Sequence, residues 1–174
     1  MNSVDEFLVK DFEQICSILN NKEKQSFQKW SEVFIYLGLP ENIVDDFDAA
    51  AFISIIKEFN IQSKLETEIK KEIELDGIKY QAFDEKFKLT VKETALIEGY
   101  IAKNDNRYLG EILAVIYKRQ DITKDMHYDK AHIHYKAELI RKEITADVAV
   151  PLINFMSKRL INDFAMIEND VKNG

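Results

Sequence analysis

The segment from Leu89 to Arg119 runs LTVKETALIEGYIAKNDNRYLGEILAVIYKR, and side-chain chemistry alone places two helices and a polar joint within it. Thr90 and Glu93 form a Thr-x-x-Glu capping box, in which the hydroxyl accepts from a first-turn amide and the carboxylate reaches back to the cap residue's own N–H. A helix is expected from Val91. Ala95, Leu96, Ile97, Tyr100 and Ile101 then recur at helical spacing as its core face, leaving Lys92, Glu93, Glu98 and Lys103 for water. Asn104-Asp105-Asn106 breaks the pattern with turn-forming side chains, and Leu109, Ile112, Leu113 and Ile116 start a second stripe, so an antiparallel helical hairpin is expected.

Preceding this segment, EIELDGIKYQAF changes period from helix to strand. Asp76-Gly77 between alternating runs is the strongest short-range hairpin signal, because a two-residue type I′ turn needs positive φ at both central positions. Pairing Leu75 with Ile78 sets Ile73 opposite Tyr80, Glu74 opposite Lys79 and Glu72 opposite Gln81. Apolar residues then share one face and opposite charges the other, so pattern and turn select the same register. A lone two-stranded hairpin is marginal in water. It is expected to lie on its own domain or to accept a partner strand at its edge.

Toward the N-terminus, Leu8, Phe12, Ile15 and Leu19 mark one helix. Phe27, Trp30, Phe34 and Leu37 mark another, stopped by Gly38 and Pro40. A short turn around Ile43, Val44 and Phe47 leads to Asp48 as cap of a third, carrying Phe52, Ile55, Ile56 and Phe59. Toward the C-terminus, a helix through Tyr135, Leu139 and Ile140 is followed by an apolar run from Val148 to Ile167 in which Pro151 implies a kink or a restart. The fold expected is mainly α: a three-helix lobe over 1–66, a β-hairpin over 67–84 and a helical lobe over 85–174.

The 174 residues include 46% hydrophobic side chains, only 5 Gly and 2 Pro, which suits long helices rather than a turn-rich β fold. A net charge of -7 supplies no basic field for nucleic acid. The single Cys16 has no intramolecular disulfide partner, and its apolar helical setting suits a small buried hydrophobe. The acidic N-terminus lacks the basic residues of a signal peptide, and no apolar run is long enough to span a membrane. Catalytic signatures are missing: no phosphate loop, no GxGxxG and no GxSxG. His127, His132 and His134 cluster with Asp125 and Asp129, but their spacing does not match a metal-ligand pattern, so no metal, cofactor or small-molecule substrate is expected. Candidate partner-contact residues are Ile73, Leu75, Ile78 and Tyr80 on the hairpin and Phe155, Met156, Leu160, Phe164 and Ile167 on the last helix, whose apolar surface exceeds a single stripe.

The succession VKDFEQICSIL, FIYLGLPENIVDDFDAAAFISIIKEF, IELDGIKYQAF, KLTVKETALIEGYI, LGEILAVIYKR and ITADVAVPLINFM resembles, in its order, tailed-bacteriophage structural and tail-assembly (baseplate-hub-like) proteins. The resemblance covers most of the chain from about residue 4 to residue 160, though the stretch near 120–136 has no counterpart in it. It implies a non-enzymatic virion protein that binds other virion proteins or further copies of itself, in the particle or in the host cytoplasm during assembly. No functional residue carries over. A cellular helical adaptor that binds a protein through the hairpin or last helix is the alternative.

Overall fold

The computed structural model describes residues 7–58, 69–82, 89–103, 108–122, 124–153 and 155. It is mainly helical, with a small antiparallel sheet between helical segments. Helices α1 (Val9–Leu19), α2 (Ser26–Tyr36), α3 (Glu41–Asp45) and α4 (Ala49–Glu58) precede strands β1 (Glu72–Leu75) and β2 (Ile78–Ala82). Helices α5 (Val91–Ala102) and α6 (Leu109–Ile116), strand β3 (Tyr117–Lys118), and helices α7 (Lys124–His127) and α8 (Lys130–Glu143) follow, and the backbone is helical again over 146–153.

The helix stops and starts follow local chemistry. Gly38 takes φ +92 after α2, a left-handed conformation that a Cβ would strain. Asp48 Oδ2 accepts the amides of Ala50 and Ala51 at 3.2 and 3.3 Å, and Asp129 accepts the amide of His132 at 3.0 Å to start α8. The expected turn at Ile43–Phe47 contains a helical turn, α3, with Val44 buried. Phe34, Val44 and Phe52 form one small cluster, where the Phe34 and Phe52 rings meet edge-on at 5.3 Å. Phe27 is half exposed at 51% but stacks on Phe52, and Phe59 lies outside the described residues.

The hairpin register is the expected one: Leu75 opposite Ile78, Ile73 opposite Tyr80, Glu74 opposite Lys79 and Glu72 opposite Gln81. Asp76 and Gly77 have φ values of 50 and 71, both positive as a type I′ turn requires. A third strand was not expected. Tyr117 and Lys118 pair with Ala82 and Gln81, so the hairpin becomes a sheet in the order β1-β2-β3. Two residues that follow a helix without a loop carry no period of their own, so sequence pattern had nothing to mark them.

The largest core joins the inner face of the sheet to α5, α6, α8 and the segment after it, with Leu75, Leu113, Ile116, Ile133, Ile140 and Leu152 among its buried members. Helix α6 is buried all round, from Leu109 and Gly110 through Ile112 to Ile116. Three expectations are corrected on α5: Glu93 is fully buried, while Ala95 and Ile101 are exposed. Tyr135 of α8 is 56% exposed, and the buried stripe is instead Ile133, Lys136, Ala137, Ile140 and Arg141. The last segment does not restart near Pro151. Its helical bonds begin with the amides of Val148 and Ala149 donating to Thr145 O, and Pro151 lies buried inside it. Residues 7–9 run beside 144–146, with Val9 N–H donating to Ile144 O at 2.8 Å and Ala146 N–H to Phe7 O at 2.7 Å. Helix α1 thereby contributes Val9 to the large core and Ile15 and Ile18 to a smaller cluster with Val33.

Candidate functional site

Ile73, Leu75 and Tyr80 are buried and Ile78 is half-buried, all within the large core of the chain itself. Their apolar face is therefore filled from within by the chain's own residues. The backbone edge of β1 is different. The amide of Ala82 donates to Lys71 O at 2.8 Å, which with the register makes 71/82, 73/80 and 75/78 the hydrogen-bonded pairs. The N–H and C=O groups of Glu72 and Glu74 consequently point away from β2, and among the described residues no strand pairs with them. Phe155 is half-buried against the large core, while Met156, Leu160, Phe164 and Ile167 lie outside the described residues.

A polar cleft of about 510 Å³ lies where α1, α2, α5, α6 and α8 meet. At its floor the Arg141 guanidinium donates through Nε to Glu13 Oε2 and through Nη1 to Glu138 Oε1, each at 2.7 Å, and also pairs with Glu111. Glu13 Oε1 in turn accepts the Gly110 amide at 2.9 Å. Burial raises the Glu13 carboxyl above its usual range, opposed by Arg141 and that amide; burial likewise opposes the Arg141 charge, but its carboxylates outweigh this and raise it. The arrangement pins α1 to α6 and α8. Glu13, Glu111 and Glu138 face Lys10, Lys103 and Arg141 around the cleft, so it has no net sign with which to select a charged ligand. Tyr36 donates to Asp11 Oδ1 at 2.7 Å, and its phenol is pushed up to about 12 by burial and that carboxylate.

No family model, curated protein or solved structure matches this chain.

The three histidines part company in the structure. His127 is buried and its Nε2 lies 3.2 Å from Val115 O, whereas His132 is half-buried and His134 is exposed on the cleft rim. No group of three or more His, Cys, Asp or Glu side chains suited to a metal ion occurs among the described residues. His127 instead serves the end of α6 together with Lys136, whose Nζ donates to Tyr117 O at 2.8 Å. A helix leaves its last carbonyls without partners, and here two side chains from α7 and α8 approach carbonyls where α6 passes directly into β3. Burial, then Lys136 nearby, lowers His127 to about 4; burial, then Lys118 and Arg119, lowers Lys136 to about 7. Lys136 is sealed from solvent, so its amine has no path to a substrate. Cys16 is similarly unsuited to attack, its thiol pushed up to about 11 by burial.

Sequence reasoning missed Arg141 and Lys136 and the burial of Glu93, because a charged residue among other charges looks solvated. A signal did exist. Lys136 and Arg141 lie three and eight residues after Ile133, on its helical face, so their place on the buried stripe was open to inspection.

Proposed function

We propose that the chain is a non-enzymatic structural or assembly protein of a tailed bacteriophage particle, acting through contacts with other virion proteins. The order of its segments motivates the phage assignment, and the edge of β1, unpaired among the described residues, is the observation that carries the mode of action. Exposed strand edges recruit other chains because each outward N–H and C=O remains available to a ladder. The functional groups found elsewhere are committed internally: Arg141 to its carboxylates, Lys136 to Tyr117 O, and Glu93 to Lys118 and Tyr128.

Purified particles and assembly intermediates of the encoding phage, analysed by mass spectrometry, test this reading. The protein is expected in at least one of them, together with a virion protein that it captures. If it is missing from both while present in the infected host, the phage assignment fails and the adaptor alternative takes its place.

A further inference from the structure

We propose that the edge of β1 left unpaired among the described residues is completed by an extended basic segment of another protein, with Lys or Arg at two positions spaced i and i+2. This rests on the contact reading above and names the partner's chemistry. Glu72 and Glu74 supply the outward backbone groups, and their side chains stand on the exposed face of the sheet. A strand that pairs there sets side chains spaced by two beside those two carboxylates, with the residue between them turned toward the buried face.

Charge then selects the occupant. Glu72 is already paired with Lys79 at 3.0 Å, whereas Glu74, which faces the same ammonium across the ladder and attracts it only at longer range, makes no ion pair among the described residues. Asp76 and Glu143, both exposed, continue the acidic strip at the turn, where Glu143 Oε2 accepts the Asp76 amide at 3.1 Å. Lys70 and Lys71 lie at the opposite end of the strand, so the acidic strip favours a partner whose basic residues lie toward the turn. A second copy is the obvious rival, since identical edges often pair. Antiparallel pairing of β1 with itself would set Glu72 and Glu74 against their own counterparts, and like charges directly opposite destabilise a ladder. An acidic or neutral strand gains nothing from Glu74. A basic one gains an ion pair along with the backbone bonds.

The test uses the full chain with a capped Lys-Val-Lys-Val-Lys peptide and its Glu-Val-Glu-Val-Glu counterpart, read by amide hydrogen exchange at Glu72 and Glu74. The basic peptide is expected to slow exchange at both amides and to bind roughly tenfold more tightly than the acidic one, a difference of about 1.4 kcal/mol. Glu74→Lys should reverse the preference. Glu74→Pro should abolish binding while leaving the circular dichroism intact, because proline is tolerated where an edge N–H faces solvent. Equal binding of both peptides, absence of binding, or protection that grows with protein concentration alone would each overturn the proposal, the last in favour of a second copy. Failure here with the protein still found in particles leaves the phage reading standing. Edge binding without particle incorporation removes that reading alone.

Discussion

At Gly110 a single hydrogen is what lets Arg141 approach. A Cβ built there would lie 3.0 Å from Arg141 Cζ and 3.2 Å from Ala137 O, the second of them backbone that has little room to shift. Gly110→Ala is therefore expected to push the guanidinium off Glu13 and to lower stability by about 1–3 kcal/mol, measured by urea denaturation. An unchanged midpoint would mean that α8 slides without cost. Gly77→Val acts through conformation instead, forcing a β-branched residue to φ +71, and its melting temperature should drop with a loss of about 1–3 kcal/mol. The two glycines also differ in how far sequence exposes them. Asp76-Gly77 announces its turn, because positive φ is a property of the residue and its neighbour. The need for Gly110 arises from Arg141, 31 positions later, and no local pattern carries that distance.

At the scale of elements, the capping box of α5 was legible and its burial was not. Thr90 N–H donates to Glu93 Oε2 at 2.7 Å and Thr90 Oγ1 accepts the Glu93 amide at 3.3 Å, as the Thr-x-x-Glu spacing implies. The same carboxylate also accepts the Tyr128 hydroxyl at 3.0 Å and pairs with Lys118 of β3. Burial works to raise the Glu93 carboxyl, but Lys118 and the Thr90 amide together hold it below its ordinary value. A cap has thus become the joint between α5, β3 and the turn after α7. Thr90→Ala should cost about 1 kcal/mol, the usual worth of a cap. Glu93→Ala should cost more, roughly 2–3 kcal/mol, because it strands Tyr128 and Lys118 as well. A double-mutant cycle with Tyr128→Phe should show coupling between the two side chains; simple additivity would reduce Glu93 to a cap alone. Hairpin register and helix stops could be read because each is set by adjacent residues, whereas β3 depends on Ala82 meeting Tyr117 across the fold.

For the whole molecule, the buried basic groups under β3 make stability depend on pH in a definite direction. Lys136 is held down to about 7 from an ordinary 10.5 by burial, then by Lys118 and Arg119, while Tyr117 O is its hydrogen-bond acceptor and the Tyr80 ring lies 5.4 Å away. The unfolded chain then binds the extra proton between pH 7 and 10.5, so this group makes stability rise with pH across that window and exacts its full penalty below it. His127, lowered to about 4 from 6.5, adds a second loss as pH falls from 6.5 toward 4, and His132, lowered mainly by burial, acts in the same sense from 6.5 downward. Glu93 joins them only below its ordinary 4.5, where the stability of its depressed carboxyl is lost as it protonates. From about 9 the rise is opposed, first by the Cys16 thiol, raised by burial to about 11 from 9.0, and above about 10 the trend reverses as the Tyr117 phenol, also raised by burial, ionises first in the unfolded chain. Urea denaturation between pH 5 and 9.5 should therefore show stability increasing toward the alkaline end. Lys136→Met should flatten the upper part of that curve and raise stability at pH 7, since the apolar side chain replaces a buried cation with a single carbonyl partner. His127→Gln should flatten only the part below 6.5. A wild-type curve that stays level from pH 7 to 9.5 would place the Lys136 amine in contact with water and undo the account of α6 and β3 built on it.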